Sequence, residues 1–263
     1  MRSRHVPMSF EEFKLMPHEV GWKHEFWDGQ AHISPGHQVA VVNLPTNPRE
    51  RTSAQTLRPV ESRDREALIA AFVAAFGDTI EYCDWEPAKI AQSAEDAIDG
   101  FFSGARGRPH AASRIAMEPP DGRILGAALV TDIDESRSLL DMLFVLPDHQ
   151  RRWLGSALVS AAIDALRAAG IGTMQSRYDV GNAASRAWHI NFGFEELPNV
   201  LLARHYERHA AHELWRRKEL GNLDPAERQR LEAELARCTA RVHELEAIAE
   251  KEGLEAVMPL LRR

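Results

Sequence analysis

Apolar positions in the middle of the chain switch repeatedly between two periods, one fitting helices and one fitting strands. EALIAAFVAAF (66–76) carries an apolar face at helical spacing, and residues 88–103 give a second helix. Three strands are predicted next, over 112–118, ILGAALVTDI (124–133) and SLLDMLFVLP (138–147). A helix over GSALVSAAIDALRAAG follows, closed by Gly170, and then a strand over 173–179. The helix ASRAWHINF ends at Gly193, and a last strand is predicted over 197–206. With a short strand over Thr56–Val60 in front, the order is β-α-α-β-β-β-α-β-α-β. Such a mixture of strand–strand and strand–helix connections predicts an α/β protein with a mixed sheet.

The two ends differ from this middle. Residues 1–55 open with SFEEFKLMP, in which Ser9 and Glu12 have capping-box spacing. WKHEFWDGQAHIS follows, and its Asp28-Gly29 pair between aromatic and apolar residues predicts a hairpin. NLPTNPRERTSAQ (43–55) is polar and proline-containing, and reads as a linker or irregular loop. Residues 208–263 are helical. Asp224-Pro225 with Glu227 supplies a cap and a helix start, and Leu231, Leu235, Cys238, Val242, Leu245 and Ala249 form an a/d seam of under three heptads. That seam fits either a helical hairpin within the chain or a homodimeric coiled coil. The resulting division is 1–55, 56–207 and 208–263.

Composition narrows the function. The chain has 263 residues, 44% hydrophobic and 27% charged, with no apolar run long enough to cross a bilayer and no signal-peptide core at the N-terminus. A cytoplasmic protein without membrane contact is expected. Cys83 and Cys238 read as free thiols. A net charge of −7 argues against a nucleic-acid coat and suits a cationic partner such as an amine. The 12 histidines are scattered without HExxH spacing, so no metal is expected.

The chemistry concentrates in LLDMLFVLPDHQRRWLGSALVSAAIDAL. An apolar strand ends at a proline, a polar turn follows, and a helix starts near Gly155. Free backbone N–H groups and the positive end of the helix dipole then point at one place, where a diphosphate fits. Small residues at Gly155, Ser156 and Ala157 let a ligand approach the backbone.

VLPDHQRRWLGSAL resembles the acetyl-CoA signature of the GNAT (GCN5-related N-acetyltransferase) superfamily, with Gln150 opening the Q/R-x-x-G-x-G/A motif and Gly155 closing it. NAASRAWHINFGF (182–194) resembles the family's later asparagine-to-Gly-Phe helix, and LRPVESRDREALIAAF its first strand and helix. The resemblance covers about 150 residues. It implies the GNAT acyl-CoA N-acyltransferase fold, a mixed, mostly antiparallel sheet flanked by helices, here with an N-terminal hairpin and a C-terminal helical extension.

It further implies acetyl-CoA as co-substrate. Backbone groups of Leu143, Phe144 and Val145 would pair with the pantetheine amides. The N–H groups of Arg151, Arg152, Trp153, Leu154, Gly155 and Ser156 would hold the diphosphate, with Arg151 or Arg152 adding charge. Gln150 would belong to the same cofactor-binding motif, and Asn182 would lie near the cofactor arm or serve as a helix cap. Two departures stand out. Trp153 occupies the position of the motif's first glycine, and a positive φ there would strain it. His189 stands where the family often has the tyrosine that protonates the departing thiolate, with Tyr178 as the alternative donor.

Acyl transfer to an amine needs a neutral nucleophile, so a carboxylate or water chain must take a proton. Asp141, a carboxylate inside the apolar run LLDMLF, is the first candidate, and strict alternation places it on the same face as Leu143 and Val145. Glu81 and Asp84, beside Glu86 in EYCDWEP, could attract a cationic acceptor. The expected activity is acetyl transfer to a primary amine of a small molecule or peptide by direct attack. The rival is a non-catalytic acyl-CoA-binding module that uses its terminal extensions for partners. The opening SFEEFKLMPHEVGWKHEFWDGQAHISP also resembles the first helix and hairpin of an endonuclease-like family. That likeness spans fewer than thirty residues, and no downstream carboxylate and lysine pattern completes a nuclease.

Overall fold

The computed structural model describes residues 2–48, 55–77, 79–119 and 122–259. Residues 49–54 of the expected linker lie outside them. Ten strands and seven α-helices are formed among the described residues. Strands β1 (Arg4–Pro7), β2 (Trp22–Trp27) and β3 (Gln30–Pro35) make a small sheet in the order β1-β3-β2, preceded at β2 by the short helix α1 (Phe10–Leu15). The capping box on α1 forms as the spacing required, with Ser9 Oγ accepting from Glu12 N and the Glu12 carboxylate accepting from Ser9 N. The β2–β3 hairpin turns at Asp28 and Gly29, whose φ values are 51° and 70°. Positive φ at both turn residues matches the right-handed twist of the strands.

The main sheet has seven strands in the order β10-β4-β9-β8-β7-β6-β5. Its members are β4 (Val39–Pro45), β5 (Thr56–Pro59), β6 (Arg114–Met117), β7 (Ile124–Asp132), β8 (Arg137–Val145), β9 (Thr173–Asp179) and the two-residue β10 (Glu195–Glu196). Every pairing is antiparallel except β8 with β9. Strand β7, between β8 and β6, is buried along both faces, which is why its sequence does not alternate. Helices α2 (Arg65–Phe76), α3 (Pro87–Ser103), α4 (Leu154–Ala168) and α5 (Ala183–Phe192) flank the sheet. One core joins Leu68 and Phe72 of α2, Ile98 and Phe101 of α3, Leu158 and Ile163 of α4, and the sheet.

Two expectations are corrected. Strand β4 lies in the segment read as extension and linker, yet it pairs with β9 from Val39↔Asp179 to Pro45↔Thr173. Its Ala40, Val42 and Leu44 are buried in the main core, so the first 55 residues supply an internal strand of the sheet. The strand expected over 197–206 is not formed: the two-residue β10 precedes that stretch, and helix α6 (Val200–Glu219) occupies most of it. The side chain of Asn199 accepts from Leu202 N at 3.1 Å and starts that helix. Helix α7 (Pro225–Glu252) packs back on α6 within the same chain: Val242 and Leu245 are buried with Val200 and Ala203.

Candidate active site

Strands β8 and β9 pair only from Arg137↔Thr173 to Leu139↔Gln175, and beyond that point they part. The fork leaves the β9-facing edge of β8 from Leu140 onward unpaired by strand. It opens into a cleft of about 1050 Å³ lined by residues of α2, α3, β8, β9, α4 and α5. Leu143, Phe144 and Val145 form one wall. Phe144 points towards Phe72 and Phe76 of α2, at 6.0 Å between ring centroids in each case. Leu143 and Val145 lie instead beside Gly155, where an added Cβ would meet Val145 Cγ2 at 3.6 Å. The Val145 carbonyl already accepts from Gln150 Nε2 at 3.1 Å, so it is the main-chain groups before it that face the cleft without that partner.

The turn into α4 is built for an anion. Arg151 and Trp153 both adopt left-handed backbone, with φ of 59° and 63°. Alternation of left- and right-handed residues turns successive N–H groups to one side, a concave nest for negative charge. The first N–H groups of α4, at Leu154, Gly155 and Ser156, have no intrahelical acceptor and continue that nest. The motif's first glycine position therefore does require positive φ, and Trp153 meets it at a cost of roughly 1–2 kcal/mol. Its indole is 67% exposed. The Ser156 hydroxyl accepts from Trp188 Nε1 at 3.0 Å, which fixes its oxygen and leaves its own O–H to donate beside the Ser156 N–H. Gln150 and Arg151 line the cleft, whereas Arg152 is exposed and does not. A nest, an unpaired strand edge and a long cleft together fit a nucleotide thioester.

At the other end of the fork, charged groups converge. Asp141 is the extra residue of a β-bulge, because Leu129 pairs with Met142 and Val130 with Leu140. The bulge breaks the alternation used to place it. Its carboxylate is almost fully buried, 1% exposed, and accepts from Arg106 Nε at 2.7 Å and Nη2 at 2.9 Å, and from Arg177 Nη2 at 3.1 Å. Asp179, at the end of β9, is 7% exposed. Burial pushes its pKa up, the N–H of Gly181 at 2.8 Å pulls it back, and the charge of Glu81 raises it again. Glu81 Oε1 accepts from Asn182 Nδ2 at 2.9 Å, while its Oε2 is buried with no hydrogen-bond partner among the described residues. Asn182 also caps α5, its Oδ1 accepting from Ser185 N at 3.0 Å.

His189 and Tyr178 line the cleft with their polar atoms already engaged, and Asp84 lies outside its lining. The Ser185 carbonyl accepts from His189 Nδ1 at 2.8 Å, which leaves Nε2 to accept from the Ser176 hydroxyl at 3.0 Å. Burial lowers the pKa of His189 to about 4. This neutral tautomer has no proton on the nitrogen facing Ser176. The Tyr178 hydroxyl donates to Glu196, and burial with that carboxylate raises its pKa strongly. Asp84 is outside the cleft lining and accepts from Ser3 N and Oγ of the N-terminal segment, at 2.9 Å and 2.5 Å. Sequence reading missed Asp179, Arg106 and Arg177. Only the fork brings them together, and no spacing in the chain announces it.

Among the described residues, no group of His, Cys, Asp or Glu is placed to hold a metal ion, and no helix is long and apolar enough to cross a membrane.

Residues 79–194 match the acetyltransferase (GNAT) family. The chain is 31% identical over 155 residues to aminoglycoside N(6')-acetyltransferase type 1 of Klebsiella aerogenes, covering 56% of this chain and 94% of that protein. Among solved structures, it is similar to the PaiA N-acetyltransferase of Thermoplasma acidophilum in complex with coenzyme A, at 15% identity and a TM-score of 0.44, over 54% of this chain and 91% of that one. It is also similar to a tandem GNAT protein from the clavulanic acid biosynthesis pathway, at 15% identity and a TM-score of 0.42. There it covers 60% of this chain and spans half of that protein's length. The chain belongs to the GNAT acetyltransferase family. It is an N-acetyltransferase.

Proposed function

We propose that this chain transfers the acetyl group of acetyl-CoA to a primary amine of a small molecule, by direct attack, with Asp179 as the group that deprotonates the incoming ammonium. The observation that carries this reading is a buried carboxylate of raised pKa, Asp179, beside the partnerless Oε2 of Glu81 in one cleft. Two acidic groups, one of them desolvated, favour an ammonium ion in their midst. A carboxylate whose basicity is raised by burial is suited to take its proton. The Klebsiella relative, by its name, acts on aminoglycosides, which are amine-bearing small molecules of this general kind.

The residues then divide the work along the fork. The nest at Arg151–Ser156 holds the diphosphate, and the free edge of β8 aligns the pantetheine arm. A main-chain N–H of β8 next to the bulge polarises the thioester carbonyl. The ammonium gives one proton to Asp179, and the resulting amine attacks the carbonyl carbon. Collapse breaks the carbon–sulfur bond, and the second nitrogen proton ends on the departing thiolate. Asp141 is better suited to hold Arg106 and Arg177 than to act as the base, since its oxygens already accept from both. His189 and Tyr178 act as positioning residues for Ser176 and for the wall of the cleft.

Thiol release from acetyl-CoA with a panel of primary amines tests the reading. Amine-dependent release is expected from the wild type, with a fall of roughly 100-fold or more in Asp179→Asn, the usual scale for a general base. Full activity in Asp179→Asn would remove that residue from the mechanism. Glu81→Gln should raise KM for the amine more than it lowers kcat.

A further inference from the structure

The cleft holds a second charged feature that amine recognition does not use. Arg106 and Arg177 share one carboxylate, Asp141, and among the described residues no other acid lies within ion-pair distance of either. Two cations against one anion leave an excess positive charge at the fork. Asp141 is sealed, but the side chains of Arg106 and Arg177 remain 34% and 32% exposed, and both line the cleft. Among the described residues, no hydrogen bond uses Arg106 Nη1 or the Nε and Nη1 of Arg177.

The pair is held in place from behind. Arg106 lies against Gly100 of α3, where an added Cβ would come within 2.9 Å of Arg106 Cγ, and its backbone N–H donates to the Gly100 carbonyl at 3.1 Å. Asp141 fixes two of its nitrogens in the side-on geometry of an arginine–carboxylate fork. A guanidinium so oriented offers its remaining N–H groups to a planar anion with little loss of side-chain freedom. Along β9, Arg177 is two residues from Asp179, so the excess positive charge and the acidic pair belong to the same cleft.

We infer that the acceptor is a zwitterion: a small molecule that carries a carboxylate near its amine, as an amino acid does, with Arg106 and Arg177 receiving the carboxylate while Asp179 and Glu81 receive the ammonium. This rests on the amine-acetylation reading above and narrows its substrate class. It also sets this chain apart from an enzyme whose acceptor is purely cationic, which would meet unfavourable charge at the two arginines.

The test compares matched pairs that differ only in the carboxylate: phenylalanine with phenethylamine, lysine with 1,5-diaminopentane, methionine with its decarboxylated amine, and an aminoglycoside beside them. In the wild type, kcat/KM for the carboxylate-bearing members should exceed that of their partners by roughly 10- to 100-fold, the scale of one charge-assisted contact. Arg177→Met should collapse that ratio towards one, and Arg177→Lys should keep part of it; thermal melting of each variant reports whether it folds. Equal kcat/KM within every pair, or a preference for the aminoglycoside, overturns the inference and leaves amine acetylation standing. Calorimetric binding of N-acetylphenylalanine and N-acetylphenethylamine to the wild type reads the arginine pair without turnover. Carboxylate-dependent binding with no thiol release from any amine would defeat the acetylation reading and keep the anion site. Equal binding of the two would defeat the anion site.

Discussion

Asp179 is ionised at a cost, because burial and the neighbouring charge of Glu81 both oppose its negative form. As a base it must be deprotonated, so kcat/KM should rise with pH through a pKa displaced above the ordinary aspartate range, and Asp179→Asn should lose that limb. Its linkage to stability has the opposite sense. The folded state holds this proton more tightly than the unfolded chain, so Asp179 contributes stability at low pH that is lost as pH rises through the raised pKa. Asp141 shows why such sites resist reading from sequence. A carboxylate among apolar residues was visible in LLDMLF as unusual, but its role depends on Arg106 and Arg177, which are 35 and 36 residues away on either side. The bulge that turns Asp141 from simple alternation is likewise a property of its pairing with β7, not of its own segment.

Among the elements, the N-terminal sheet is docked through close contacts that leave little room for change. Gly21 has φ of 79°, and a Cβ there would meet Gly181 N at 2.1 Å. Gly21→Ala combines that clash with a strained backbone, and should destabilise the protein by more than about 2 kcal/mol, seen as a lowered urea midpoint. The same docking stacks His18 between His24 and His212, at ring-centroid distances of 4.2 Å and 3.7 Å. Burial first, then the charges of His24, His212, His209 and Arg216, lowers the pKa of His18 to about 3. His189 is lowered to about 4 by burial. Both bind protons more weakly when folded, so their contribution is complete above pH 6.5 and falls as pH drops from 6.5 towards about 4 for His189 and about 3 for His18. Urea melts at pH 7.5, 6 and 5 should show this loss, and His18→Gln should reduce its slope. Helix α6 illustrates a boundary the sequence left ambiguous. VLLARHY has apolar residues suited to a strand, and the Asn199 cap together with packing on α7 decides for helix.

On the scale of the whole molecule, residues 1–48 are more than an appendage, because they supply strand β4 of the main sheet beside the separate small sheet β1-β3-β2. Strand β4 covers β9 along its full length, and Val39 itself lines the cleft. Removing 1–48 should therefore expose the edge of β9 and the core residues under Ala40, Val42 and Leu44. The truncated chain is expected to aggregate or unfold, as judged by gel filtration and circular dichroism, and not to yield an active acetyltransferase domain. A soluble, folded and active truncation would show that β4 is dispensable. What the sequence by itself determined was whatever local pattern encodes: the helices and strands from α2 to α5, the strand–turn–helix that makes the anion nest, and the two family signatures. The elements and the turn follow from periodicity, glycine placement and helix termini, which act over a few residues, whereas the signatures are legible only as a resemblance to a known family. Only the tertiary structure decided that β4 completes the sheet, that β8 and β9 part after Leu139, and that Asp179, Glu81, Arg106 and Arg177 share one cleft. Those outcomes rest on pairing and burial between segments distant in the chain, and no local pattern carries that information.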